Sequence, residues 1–177
     1  MYEIDNTDIK IINLLMEDGR MPASVMARRI GDISERVIRY RIDRIVNEGY
    51  IKISAINNPK LLGYTVTADV FLEVESSSIH EVAKKVAVYD CVSYVACSIG
   101  ENDISVQVLG HDTDEVYRFV TDEIGKIPGV RKTTTSIVPL VLKDVYQWRI
   151  PRSICISNNS NQYINDTDSD DEREIQQ

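Results

Sequence analysis

Apolar positions along this chain keep one period at the front and another behind it. Over residues 5–17, Ile9, Ile12 and Leu15/Met16 recur at helical spacing behind Asp5, an N-cap residue type, and Asp18-Gly19 closes the run. Pro22 stands where a second helix begins, with Val25, Met26 and Ile30 as its apolar face and Gly31 as its stop. Ser34 caps a third helix over 35–47, with Val37, Ile38, Ile42 and Ile45 turned inward and Gly49 at its end. Residues 50–56 then alternate as a strand does. Three short helices, a tight turn before the third, and a strand predict a winged helix-turn-helix over 1–56.

Asn57-Asn58-Pro59 interrupts the pattern, and 57–62 reads as a linker. From Tyr64 the period becomes two: Tyr64, Val66, Ala68, Val70, Leu72 and Val74 alternate with Thr65, Thr67, Asp69, Phe71, Glu73 and Glu75. A helix follows Ser78, with Ile79, Val82, Ala83 and Val86 on one side. Strands over 91–99 and 103–110 flank the turn Gly100-Glu101-Asn102. Asp112 precedes a second helix whose inner residues are Val116, Phe119, Val120 and Ile124. The last strand runs from Arg131 to about Lys143, where Pro139 implies an edge position or a bulge. The order β-α-β-β-α-β predicts a ferredoxin-like domain over 63–150, so the fold class is α+β. Phe71 and the apolar end of the last strand (Ile137, Val138, Leu140, Val141, Leu142) exceed what two short helices cover. That points to an uncovered sheet face and a homodimer formed through it.

Composition narrows the function classes. At 43% apolar residues the 177-residue chain supports a real core, and no apolar run approaches the roughly 20 residues that span a bilayer. Cys91, Cys97 and Cys155 make no C-x-x-C pair and only two histidines exist, which disfavours a zinc or iron–sulfur centre. The expectation is a cytoplasmic protein without a cofactor. Net charge is −8, but it is uneven: residues 20–60 carry 9 basic and 4 acidic side chains, six of them arginines between Arg28 and Arg44. Residues 151–177 hold 6 acids and 8 Asn or Ser, the composition of a solvated, disordered tail.

A helix is the right width for the DNA major groove. On the predicted third helix Glu35, Arg36, Arg39 and Tyr40 lie away from the apolar stripe, at the end that approaches base edges first. Ser34 at the helix start faces the orphan amides that suit a phosphate, and Arg28 and Arg44 flank the face as phosphate contacts. Arg41 adjoins the buried stripe, where pairing within the domain competes with DNA contact.

The chain resembles the Lrp/AsnC family, the feast/famine transcriptional regulators of bacteria and archaea. The resemblance rests on Ile4-Asp5 with Asp8-x-x-Ile11, on Asp18-Gly19-Arg20, and on Ser34, Val37, Ile38, Arg41, Ile42 and Ile45 followed by Asn47-Glu48-Gly49-Tyr50-Ile51. It continues through Asn58-Pro59-x-x-Leu62-Gly63-Tyr64, Gly100-Glu101-Asn102-Asp103, Pro128-Gly129-Val130 and Thr133-Thr134-Thr135. It implies binding to double-stranded DNA through the front domain, a homodimer or an octamer of four dimers, and an amino-acid effector near Gly100, Asp103 and Thr134. The Gly31-Asp32-Ile33-Ser34 turn is one residue longer than the common family form, and the acidic tail lies outside the family pattern. Two other readings are an oligomeric partner that does not bind DNA and a haem-pathway decarboxylase-like enzyme. The second has only fold analogy behind it, since no phosphate loop or H-E-x-x-H is present.

Overall fold

The computed structural model describes residues 3–151, which belong to two compact units. One comprises residues up to Ser54 together with those from Tyr146 onward, and the other Ala55–Val145. The predicted disorder from about residue 155, and Cys155, lie outside the described residues.

In the first unit α1 (Asn6–Glu17), α2 (Ala23–Ile30) and α3 (Glu35–Asn47) close around Ile11, Ile12, Met26, Ile38 and Ile45. The helix starts are built as the sequence implies. Asp5 and Asp8 form a reciprocal capping box, with the Asp8 amide donating to Asp5 Oδ1 at 2.9 Å and the Asp5 amide to Asp8 Oδ2 at 3.0 Å. Ser34 Oγ accepts the Val37 amide at 3.3 Å. Between α2 and α3 the backbone turns through Gly31 (φ +76°) and Asp32 (φ +50°), two residue types that tolerate the left-handed region.

Several expected positions move. Val37 and Met16 are exposed, whereas Ile11 is fully buried. The buried stripe of α3 runs Ile38, Ile42, Ile45, at spacings of four and three, and Val37 stands about 100° off it. Residues 51–58 form no strand. Ile51 packs into the helical core, but Ile53 and Ile56 are exposed, because alternation without a neighbouring strand leaves the backbone without a ladder. Ile150, placed by sequence in the second domain, packs against the first unit's core instead.

The second unit has the element order β1 (Val66–Val74), α4 (Ile79–Val86), β2 (Val92–Cys97), β3 (Ile104–Gly110), α5 (Thr113–Arg118), β4 (Val130–Ile137). The antiparallel sheet is ordered β2-β3-β1-β4, the ferredoxin-like arrangement. Ala68, Val70, Leu72 and Val74 of β1 and Ile104, Val106 and Val108 of β3 form one core with Val82, Val86, Val116, Val120 and Ile124. Beyond Arg118 the second helix widens into a π turn over Phe119–Glu123 before a short 3-10 turn. Gly129 (φ +98°) permits the approach to α4, since a Cβ there would sit 2.6 Å from the Ser78 Cβ. His111 sits against the Tyr64 ring with centroids 4.4 Å apart, and its amide and Nδ1 meet Glu115 Oε2 at 2.6 and 2.8 Å. Those hydrogen bonds, the amide's first, hold the Glu115 carboxyl below its ordinary range.

The last strand is shorter than predicted. Its ladder ends at Ile137, and only the Val138 amide continues it, donating to Thr67 O at 2.8 Å. Pro139 has no N–H to give, so the chain leaves the sheet there, and Leu140, Val141 and Leu142 are exposed beyond the strand rather than on a sheet face. The helix-free face is also more polar than expected. Around Phe71 and Tyr94, the register puts Asp69, Glu73, Ser105, Gln107, Lys132, Thr134 and Ser136 on it.

One ion-pair group ties the first unit together. Arg41 Nη1 lies 2.7 Å from Asp5 Oδ2 and 2.8 Å from Asp8 Oδ1, with Asp8 fully buried and the Arg41 side chain 21% exposed. Burial alone pushes the Asp5 carboxyl up, but the Arg41 hydrogen bond and the Asp8 and Thr7 amides outweigh it and hold the carboxyl below its ordinary value. A carboxylate stabilised this way adds stability that is complete above about pH 4 and disappears as pH falls through the lowered value. Arg41→Met should cost about 3 kcal/mol, because it strands a buried carboxylate, and it should flatten the acid limb of a urea-midpoint-versus-pH series. An unchanged acid limb in the variant would show that the pair contributes no linkage.

Candidate DNA-binding and effector sites

The six arginines between 28 and 44 fall into distinct classes. Arg41 is consumed by α1, and Arg29 pairs with Glu17 at 2.8 Å. Arg39 is exposed and pairs with Glu35 one turn earlier on the same helix, a contact that raises the Arg39 pKa. Arg44 is half-buried, its guanidinium carbon 5.4 Å from the ring centroid of the exposed Tyr40. Arg28 and Arg36 are exposed, and among the described residues neither lies within ion-pair distance of a carboxylate. The outward face of α3 therefore offers Arg36 at once and Arg39 after an exposed, easily screened pair opens. Ser34 is occupied as the cap, which leaves its hydroxyl one acceptor fewer for a phosphate.

The second candidate site lies at one end of the sheet. Gly100 (φ +150°) is in the β2–β3 connection, closed by the Ser98 amide donating to Asp103 O at 2.8 Å. Asp103 does structural work: its Oδ2 accepts the Val74 amide at 2.7 Å, where the β1–β4 register shifts between Glu73 and Val74. Arg131, absent from the sequence reading, completes this corner. Its Nη2 donates to Val74 O at 3.1 Å and stands 3.9 Å from Asp103 Oδ2. Thr134 is exposed opposite Phe71, three residues further along β4 than Arg131, and no bond joins it to Asp103. The sequence signal for Arg131 was its place after Pro128-Gly129-Val130 at the head of the threonine run.

Comparison with known proteins bears on both sites. A model of the AsnC-type helix-turn-helix domain matches residues 4–45, and one of the Lrp/AsnC ligand binding domain matches residues 67–147. The HTH-type transcriptional regulator PH0140 of Pyrococcus horikoshii is 37% identical over 142 residues, covering 80% of this chain and 89% of that protein. The chain belongs to the Lrp/AsnC family.

Another Lrp/AsnC relative, the regulator FL11 of Pyrococcus furiosus, is 34% identical over 142 residues, 80% of this chain and 93% of its own. Among solved structures, AsnC of E. coli superposes with a TM-score of 0.74 at 25% identity, covering 82% of this chain and 99% of that one. The regulator NMB0573 of Neisseria meningitidis, solved as a complex with L-Met, shares the fold at a TM-score of 0.76 and 22% identity, covering 84% of this chain and 96% of that one. This Lrp/AsnC protein is a DNA-binding transcriptional regulator and not an enzyme. The decarboxylase-like reading falls with that assignment. Among the described residues no three His, Cys, Asp or Glu side chains are grouped to hold a metal, and no helix is long and apolar enough to cross a membrane.

Glu35 is the residue whose effect on DNA is easiest to isolate. It neutralises Arg39 and puts an anion where phosphates approach. Glu35→Gln should tighten binding to random-sequence duplex and steepen the log K against log salt slope by about 0.9, one released counterion. The measurement is a salt titration by fluorescence anisotropy, and an identical slope would place Glu35 away from the DNA backbone.

Proposed function

We propose that this regulator reads specific operators through Arg36, Arg39 and Tyr40, with Glu35 tuning the arginines and Ser34, Arg28 and Arg44 serving the phosphates. The observation that carries the reading is the outward face of α3, which starts at a capped N-terminus and presents an uncommitted arginine in its first turn. An arginine fork on guanine contributes roughly 1–3 kcal/mol of base discrimination. The double substitution Arg36→Ala, Arg39→Ala should abolish specific binding while circular dichroism and assembly mass stay unchanged. Normal operator affinity in that variant would remove α3 as the reader; duplexes selected from a random pool supply the operator.

The same proposal includes assembly and an effector. A homodimer formed over the helix-free sheet face around Phe71 pairs two recognition helices with two half-sites, and four such dimers make an octamer. The exposed Leu140, Val141 and Leu142 extend the apolar surface available to a partner copy. An amino acid binds near Gly100, Asp103 and Thr134, with the Asp103 carboxylate meeting the ammonium group. It changes DNA affinity only through unequal affinity for two assembly or DNA-bound states. A coupling of about 1–3 kcal/mol corresponds to a change of about 5–150-fold, and DNA changes amino-acid affinity by the same factor. Calorimetry with the twenty standard amino acids tests the site. Binding that survives both Asp103→Asn and Thr134→Val would move the effector elsewhere, and a folded species sedimenting at 20.1 kDa would refute the dimer.

A further inference from the structure

The corner where β1 loses its register holds two opposite charges whose structural tasks leave most of their bonding capacity unused. Val74 needs partners for its amide and its carbonyl at this point. Asp103 Oδ2 takes the first at 2.7 Å, and Arg131 Nη2 satisfies the second at 3.1 Å. Asp103 Oδ1 has no hydrogen bond, and neither do Nε and Nη1 of Arg131. The two groups face each other at 3.9 Å, too far for the 2.7–2.9 Å, roughly, of a charge-assisted hydrogen bond. Their backbone bonds hold them apart: each is anchored to a different atom of Val74. The Arg131 side chain is 59% exposed and that of Asp103 26%, so both can be reached from solvent.

A pair held open in this way is complementary to a molecule that carries both charges on adjacent atoms. We propose that Arg131 and Asp103 form a zwitterion clamp, in which Arg131 receives the α-carboxylate of a free amino acid and Asp103 its α-ammonium. This rests on the effector reading given above and deepens it: it moves carboxylate recognition from the Thr134 hydroxyl to Arg131 and requires both charged ends of the ligand. The guanidinium fork suits the task because a carboxylate takes two of its N–H groups side by side. Unlike a hydroxyl, it rejects a ligand whose carboxylate has been neutralised, since it leaves a cation facing a neutral amide. Lys132 pairs with Glu73 at 2.7 Å, so among these β4 residues the free cationic capacity lies with Arg131.

The test uses full-length protein and calorimetry with each of the twenty standard amino acids, then the α-amide and the N-acetyl derivative of every one that binds. Wild type should bind both derivatives about tenfold or more weakly than the parent amino acid. Arg131→Gln should lose a similar factor for the parent and nothing further for the amide, and Arg131→Lys should recover part of the loss. A merely structural Arg131 would weaken acid and amide alike. Wild type binding the amide as well as the acid, or Arg131→Gln binding the acid as wild type does, overturns the clamp while the effector reading stands. The wild-type arms decide the matter even if the variant fails to fold. No binding of any amino acid to wild type removes both the clamp and the effector reading.

Discussion

The position of the recognition helix depends on a carboxylate that water does not reach. Asp8 is fully buried at the start of α1, and the group that compensates it comes from α3, thirty-three residues later. Arg41 bridges Asp8 and Asp5, while the two aspartates exchange hydrogen bonds with each other's amides. One guanidinium therefore closes the capping box of α1 and fixes the rotation of α3 about its own axis. That rotation decides which side chains face outward. With Arg41 drawn in and Ile38 and Ile45 buried, Arg36, Arg39 and Tyr40 are left on the other side. A hydrophobic residue at 41 would fill the space but set no rotation, and the buried carboxylate penalises every arrangement in which the arginine is elsewhere.

The second unit uses the same device at its own weak point. β1 pairs with both neighbours until Glu73, where the register shifts. Without side-chain partners, the Val74 amide and carbonyl would be left over there at the cost of unsatisfied backbone groups. Asp103 and Arg131 answer this from two other places in the chain. In the first unit the charged groups are bonded to one another at 2.7–2.8 Å and shielded. In the second they are bonded to backbone, separated and exposed. The first arrangement is closed to ligands and the second is open, which is the physical difference between a structural ion pair and a receptive one.

Much of the architecture was legible because it follows from period. Alternation over 66–74 placed the central strand, and the capped helices at Asp5 and Ser34 began where their side chains imply. Residues 50–56 have the same alternation, yet a strand is a property of two segments, and periodicity reports on one. Pro139 was seen, but its missing donor ended β4 instead of bending it. The split among the arginines was only partly visible. Arg41 stood out by its place beside the buried stripe, but the Arg39–Glu35 and Arg29–Glu17 pairs depend on rotamers. At the effector corner, Asp103 and Gly100 are near in sequence, whereas Arg131 reaches Val74 only through the crossing of β4 beside β1. Proximity created by topology has no local signature.

Charge distribution explains how a protein of net charge −8 can still serve as a DNA reader. Of the 10 basic residues in 1–60, three arginines are engaged with carboxylates, and 9 acids accompany them. The field toward DNA is thus generated by a few outward cations, above all Arg28 and Arg36, and reaches only about 8–10 Å in physiological salt. Residues 61–150 carry 13 acids against 8 bases, so any orientation that presents them to a phosphate backbone is repelled. Non-specific affinity grows with the number of phosphates neutralised, and this chain keeps that number small. Specificity is the ratio of the two affinities, so suppressing the non-specific one raises the ratio without adding a base contact. The acidic body that argued against nucleic acid on global charge alone is, with one cationic helix face exposed, a means of making that face the one productive approach.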